Sequence, residues 1–207
     1  MDPYGWNEAA PHTDAYINGK IVDLIAGLSP QRVCDVGCGN GVLLAQINQK
    51  VSASLCGVEQ DAIGAGLATA RCPSAEIHNL SIEDGPGQAL PPGSFDVVVS
   101  TEVIEHLFRP ESLITFSHDI LCDGGHLILS TPYHGYLKNL AIALAGGWDK
   151  HFTVDWNGGH IKFFSRRTLS SLLESNGFEV VGFYGVGRMP YLWKSMVMVA
   201  RKSVPLV

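Results

Sequence analysis

A chain of 207 residues, 46% hydrophobic and 16% charged, is long enough to bury a sizeable core as one domain. Its formal net charge of -6 argues against a long nucleic-acid footprint, which needs a basic face. No apolar run reaches bilayer-spanning length, and Met1-Asp2-Pro3-Tyr4-Gly5-Trp6 lacks the basic and apolar regions of a signal peptide, so a cytoplasmic protein is expected.

Residues 1–15 read as an N-terminal arm carrying Tyr4, Trp6 and His12. From Tyr16 to Leu28 the apolar positions Ile17, Ile21, Val22, Leu24, Ile25 and Leu28 predict a helix, ended by Ser29-Pro30. Val33 to Val36 predict a buried strand. Gly37, Gly39 and Gly41 follow as a tight turn, and a helix then runs to about Lys50. Ser54 to Gln60 is a second apolar run ending in Glu59, after which Asp61 is placed to cap a helix through Ala70.

Ala75 to Asn79 predicts a short third strand, and residues 84–93 a loop rich in glycine and proline. Phe95 to Ser100, with three consecutive valines, predicts a central parallel strand covered on both faces. A helix from Pro110 to Leu121 is expected to stop at Asp123-Gly124-Gly125, before a strand from His126 to Thr131. Residues 133–164 interrupt the alternation with a helix over Leu137 to Ala145 and a loop rich in glycine and aromatics. Ser165 caps a helix to Asn176, and Phe178 to Tyr184 and Ser195 to Arg201 predict a closing antiparallel pair. The expected fold is α/β, a doubly wound, mostly parallel sheet with an antiparallel end, as a single domain with an acceptor-side insertion at 133–164. The five scattered cysteines are expected as buried free thiols in a reducing compartment.

Three strand ends carry polar residues: Asp35-x-Gly37-x-Gly39-x-Gly41, Glu59, and Ser81-Ile82-Glu83-Asp84. In open α/β sheets ligands bind beyond the carboxyl ends of the strands. The first run is neither the dinucleotide fingerprint nor a phosphate loop, because its third glycine comes one residue early and no Lys-Ser/Thr follows. Glu59, about 20 residues on, stands where an acid can accept from both ribose hydroxyls. Asp35 would repel phosphate and suit an ammonium. The site therefore suits a nucleoside without a pyrophosphate.

Asp35-Val36-Gly37-Cys38-Gly39-Asn40-Gly41, Gly57-Val58-Glu59, Phe95-Asp96-Val97-Val98-Val99 and Gly124-Gly125-His126-Leu127-Ile128-Leu129, in that order, resemble the seven-stranded, class I S-adenosylmethionine-dependent methyltransferases. The resemblance covers roughly residues 16–132. It implies a Rossmann-like seven-stranded sheet and S-adenosylmethionine as cofactor. It also implies that the Gly37–Gly39 backbone meets the methionine part, that Glu59 binds the ribose, and that Ile82 and Glu83 flank the adenine. Tyr16, Asp35, Cys38, Gln60 and Thr101 complete the implied cofactor-binding set.

Beyond the fourth strand, Glu102, Glu105 and His106 lie at i, i+3 and i+4, which on a helical turn is one face. Two readings follow. His106 is a general base for an acceptor hydroxyl, oriented by the acids. Alternatively, all three hold a divalent cation that lowers the pKa of a bound hydroxyl. Glu-x-x-Glu-His with the later His160-Ile161-Lys162-Phe163 is similar to the metal site of small-RNA 3′-terminal 2′-O-methyltransferases. Thr131-Pro132-Tyr133 with Lys162-Phe163-Phe164 also looks like ubiquinone-biosynthesis O-methyltransferases. Carried over by position, the ligands are Glu102, Glu105, His106 and His160, for Mg, Mn, Fe or Zn.

Tyr133, His134, Tyr136, Trp148, His151, Phe152 and Trp156 in the insertion point to a lid over a small, flat or apolar acceptor. The expected activity is O-methylation of a small molecule, most simply a hydroxyl beside a second oxygen as in a catechol. N- or C-methylation remains open. RNA terminal-ribose methylation needs a basic track, and the chain offers only scattered pairs such as Arg166-Arg167 and Arg201-Lys202. The sequence leaves the oligomeric state open.

Overall fold

The computed structural model describes residues 13–152 and 158–204. Tyr4, Trp6, His12 and Trp156 of the expected arm and lid lie outside the described residues. In chain order the strands are β1 (Arg32–Val36), β2 (Ser54–Val58), β3 (Glu76–His78), β4 (Phe95–Thr101), β5 (Leu121–Pro132), β6 (Phe178–Val186) and β7 (Ser195–Lys202). The helices are α1 (Asp14–Leu28), α2 (Val42–Lys50), α3 (Ala62–Arg71), α4 (Pro110–Ile120), α5 (Tyr136–Leu144), α6 (Trp148–Phe152) and α7 (Arg166–Ser175).

Strand side chains alternate faces, and the core divides accordingly. Cys34, Val36, Cys56, Val58, Val98, Leu127, Leu129 and Met198 face one layer, with Leu113, Ile114 and Phe116 of α4 and Leu169 and Leu173 of α7. Val33, Leu55, Val97, Val99, Ile128 and Val197 face the other, against Ile17, Ile21 and Ile25 of α1 and Leu43, Leu44 and Ile47 of α2. The sheet order is β3-β2-β1-β4-β5-β7-β6. β1 to β5 pair parallel, and β7 runs antiparallel between β5 and β6. β4 is thus the middle strand, which accounts for its valines being buried on both faces. Its one charged residue, Asp96, accepts the backbone N–H groups of Gln31 and Arg32, both at 2.8 Å, and ties the starts of β1 and β4 together.

Two expectations change. Asp123-Gly124-Gly125 does not separate a helix from a strand. It is an irregularity inside β5, whose pairing with β4 runs from Phe95–Leu121 to Val97–His126. Gly124 has φ +75°, and a Cβ on Gly125 would come 2.9 Å from the Cys122 carbonyl oxygen. The loop expected after α5 contains the short helix α6. Both remaining caps form as expected: the Asp61 side chain accepts from Ile63 and Gly64 N–H, and Ser165 forms a capping box with Thr168. The five cysteines are free thiols, four of them buried. Among the described residues no helix is long and apolar enough to cross a membrane.

Candidate functional site

The carboxyl ends of β1, β2, β4 and β5 open into one cavity of about 690 Å³. At its β1 side the turn is held by Gly37 and Cys38 N–H donating to the Val58 carbonyl at 2.8 and 3.0 Å, and by Gly41 N–H donating to Cys38 O at 2.9 Å. Gly37, Gly39 and Gly41 have φ of +79°, +52° and +76°, the region that favours glycine. Space demands glycine as well. A Cβ on Gly37 would lie 2.5 Å from Val103 Cγ2, and one on Gly41 would lie 2.8 Å from the Ala68 Cα.

Glu59 is buried at the end of β2. Its two carboxylate oxygens accept the N–H of Gly39 and of Asp61, each at 2.9 Å, so the second acidic position braces the glycine turn directly. Burial pushes its pKa up, against those two hydrogen bonds. Asn79 donates to the Glu59 and Gln60 carbonyls and fixes the strand end. Tyr16, Asp35, Gly37, Cys38, Gly39, Glu59, Gln60, Ile82 and Thr101 all line the cavity. Glu83 does not. It is exposed on a 3-10 turn over Ile82–Asp84, where the Ser81 hydroxyl accepts the Glu83 N–H.

The acid-rich stretch after β4 is not a helical face. Glu102 sits at φ +52°, and only Ile104–His106 forms a single 3-10 turn. The i, i+3, i+4 relation therefore does not gather the three side chains. The Glu102 carboxylate accepts from the hydroxyls of Ser130 (2.9 Å) and Ser195 (3.3 Å). Glu105, His106 and His160 instead come together, with one ligand-type atom from each within 4.8 Å of the others. Among the described residues Glu102 stands outside that group.

The Glu105 carboxylate is fully buried. Its Oε2 accepts from the Thr131 hydroxyl at 3.0 Å. Its Oε1 accepts no hydrogen bond among the described residues and lies 3.9 Å from His160 Nε2. The Glu105 carbonyl accepts from Ile161 and Lys162 N–H at 2.9 and 3.0 Å, so the same residue anchors the loop that carries His160. His106 Nδ1 is 2.7 Å from the Gly158 carbonyl. A carbonyl only accepts, so Nδ1 carries the proton and Nε2 the lone pair. The two imidazole rings meet edge-on with centroids 4.9 Å apart.

Burial lowers the His106 pKa and drives His160 down to about 4. Both imidazoles are therefore neutral at pH 7, the form that ligates a metal. Burial, with the Glu102 charge nearby, raises Glu105 well above the ordinary carboxylate range. An acid and two neutral imidazoles facing one point, with an acid oxygen lacking a donor, fit a divalent cation with coordination positions to spare.

The expected lid divides. His134 and His151 line the cavity beside Phe163, and His134 packs on Phe152 and Phe163 with ring centroids 5.9 and 5.1 Å away. Tyr133 instead belongs to the core, packed on Phe183 and Trp193. Tyr136 and Trp148 are exposed. The sequence reading missed Lys138, Arg188, Lys194 and Ser195 as cavity residues. One signal was available, since Lys138 is the lone cation of an otherwise mostly apolar helix.

Comparisons with known proteins follow the same lines. Residues 12–182 match a family model described as a methyltransferase domain. A ubiquinone biosynthesis O-methyltransferase of Cupriavidus pinatubonensis is 33% identical over 178 residues, 82% of this chain and 68% of that one. One from Ruegeria sp. strain TM1040 is 31% identical over 79% of this chain and 66% of its own. The chain thus spans about two thirds of the length of these relatives. Among solved structures, a Burkholderia thailandensis 1,6-didemethyltoxoflavin-N1-methyltransferase shares the fold at a TM-score of 0.66 and 17% identity, over 90% of this chain and 77% of that one. The seven-stranded Rossmann-like sheet expected from the motifs is the one observed. The chain belongs to the methyltransferase-domain family of S-adenosylmethionine-dependent enzymes.

Proposed function

We propose that this enzyme O-methylates a small acceptor whose hydroxyl stands beside a second oxygen, and that Glu105, His106 and His160 hold a divalent cation at the acceptor. The observation that carries this reading is the buried Glu105 Oε1, which accepts no hydrogen bond among the described residues and faces His160. A desolvated carboxylate oxygen without a donor is costly unless a cation satisfies it. The relatives named O-methyltransferases support oxygen as the acceptor atom.

On the cofactor side, the Gly37–Gly39 backbone receives the methionine part and Asp35 its ammonium. The Glu59 oxygens, each with a lone pair beyond its amide contact, accept from the ribose hydroxyls. Ile82 and Leu80 cover the adenine from the β3 side, and Tyr16, Cys38, Gln60 and Thr101 wall the channel. On the acceptor side, a bound cation lowers the pKa of a hydroxyl in contact with it. The hydroxyl then gives up its proton to solvent, and its oxygen forms a bond to the methyl carbon as the carbon–sulfur bond of the sulfonium breaks, releasing the neutral thioether. Thr131 and Gly158 orient the ligand atoms of Glu105 and His106.

A second reading keeps the same residues without a cation. The His106 Nδ1–Gly158 bond leaves Nε2 as a base for the acceptor proton. Labelled S-adenosylmethionine with catechols, phenols, amines and short RNA, each with EDTA and with metal added back, separates these. Transfer to catechols that EDTA abolishes is the expected result. Transfer to catechols indifferent to EDTA and lost in His106→Gln selects the base reading. Transfer only to amines, indifferent to chelation, refutes O-methylation.

A further inference from the structure

α5 is oriented against its composition. Tyr136, Leu137, Leu140 and Leu144 are exposed, while Lys138 is buried with only 5% of its surface accessible. A lysine inside and leucines outside reverses the ordinary partition and calls for a reason. Lys138 lines the cavity, and its ammonium has one hydrogen-bond acceptor among the described residues, the Lys194 carbonyl at 3.1 Å. An ammonium carries three donors. The loop between β6 and β7 brings two more cations to the same wall, Arg188 and Lys194, whose side chains stand at the exposed rim. The Lys194 ammonium sits over the Tyr16 ring, 4.8 Å from its centroid.

The nearest negative charge acting on Lys138 is that of Glu102, whose oxygens already accept from Ser130 and Ser195. The other titratable groups facing these cations are His134, His151 and His160, whose pKa values burial lowers, and Tyr16, whose pKa burial raises. Burial and the Arg188 charge together lower Lys138 to about 8, outweighing the opposing Glu102 charge. The three cations stand at the β5–β7 side of the cavity. The glycine turn and Glu59 stand at β1 and β2, and β4, followed by His106, lies between.

We propose that Lys138, Arg188 and Lys194 form a carboxylate subsite for the acceptor, so that the preferred substrates are hydroxylated aromatic acids rather than neutral phenols. An acceptor whose reacting oxygen lies at Glu105 and His106 extends its far end toward this wall. Lys138 supplies the desolvated donor at the bottom, and Arg188 the forked guanidinium at the mouth. This specificity rests on the O-methylation reading, but its test does not depend on turnover.

The test is calorimetric binding of 3,4-dihydroxybenzoate and of catechol to protein saturated with S-adenosylhomocysteine, with EDTA present so that no metal contributes. The acid is expected to bind about tenfold more tightly than catechol, the scale of one charge-assisted hydrogen bond. That ratio should fall toward one in Arg188→Gln and in Lys138→Met, and return in Arg188→Lys. Arg188 is exposed, so its variants fold even if Lys138→Met does not. A ratio near one in the wild type, or one unchanged in Arg188→Gln, overturns the subsite. A ratio unchanged while the variants lose affinity for S-adenosylhomocysteine also overturns it, because the carboxylate is then the cofactor's own. Failure of the O-methylation reading shows separately, as absence of methyl transfer to either compound despite the binding preference.

Discussion

The glycine turn makes a claim that a double-mutant cycle can test. Gly37→Ala carries two penalties of different origin. Holding an alanine at φ +79° costs about 1–2 kcal/mol. Forcing its Cβ against Val103 Cγ2, 2.5 Å away, adds about 1–3 kcal/mol. Only the second is relieved by removing the valine methyls, and Val103→Ala alone loses about 1–2 kcal/mol of packing. The double variant Gly37→Ala/Val103→Ala should therefore be more stable than the two single losses imply, by about 1–3 kcal/mol. At about 2–4 °C per kcal/mol for a chain of this size, it melts about 2–12 °C above the additive expectation. Urea unfolding followed by circular dichroism gives the four free energies. Gly41→Ala is the contrasting case: its clash is with the Ala68 Cα at 2.8 Å, which no side-chain truncation removes. Strict additivity at Gly37 and Val103, or rescue of Gly41→Ala by Ala68→Gly, would show that steric fit does not set this turn.

Four further outcomes are expected. Burial holds His134 at about 4 against an ordinary 6.5, so between those values the unfolded chain takes up a proton that the folded one refuses. Stability is then full above pH 6.5 and falls as the pH drops. This residue contributes a loss of about 2 kcal/mol between pH 7 and pH 5. Unfolding of wild type and His134→Gln at both pH values isolates that loss, and equal slopes would refute it. Glu59→Gln turns one amide NH₂ toward the N–H of Gly39 or Asp61, leaving a buried donor without an acceptor. It should destabilise the turn by about 1–3 kcal/mol and weaken S-adenosylhomocysteine binding in calorimetry. Ser165→Ala breaks the capping box of α7 and lowers the melting temperature by about 2–4 °C, for a loss of about 1 kcal/mol. Gly66→Ala, with open space around its Cβ inside α3, raises it by a similar amount.

Much of the scaffold was legible because its signals are local. Asp61 and Ser165 announce their helices through side chains that reach only two or three residues along the chain. The valines of β4 announce a strand covered on both faces because no other environment accommodates them. The first part of β5 was hidden because Asp123-Gly124-Gly125 carries the composition of a turn. Only the pairing of Leu121 with Phe95 shows that the strand has already begun. The same distinction holds at the site. Glu105 and His106 were found as neighbours in sequence, and His160 by its resemblance to a motif. The left-handed backbone at Glu102, which turns that side chain to Ser130 and Ser195, leaves no mark in composition. Lys138, Arg188 and Lys194 converge from segments some 50 residues apart in the chain, and no window along the sequence contains all three.

The placement of β7 bears on how the protein is made. It follows β5 and β6 in the chain, yet it lies inside the sheet between them. Synthesis at about 5–20 residues per second leaves β5 with an open outer edge, and β6 without a neighbour, for about 1–3 s after both have emerged. Over that interval Glu102 waits for Ser195, 93 residues downstream, and the Lys194 carbonyl that receives Lys138 does not yet exist. The cavity is therefore completed only when β7 joins the sheet. Nascent chains halted before residue 195 expose a bare sheet edge beside an unfinished pocket, a state suited to capture by chaperones and unable to bind both substrates.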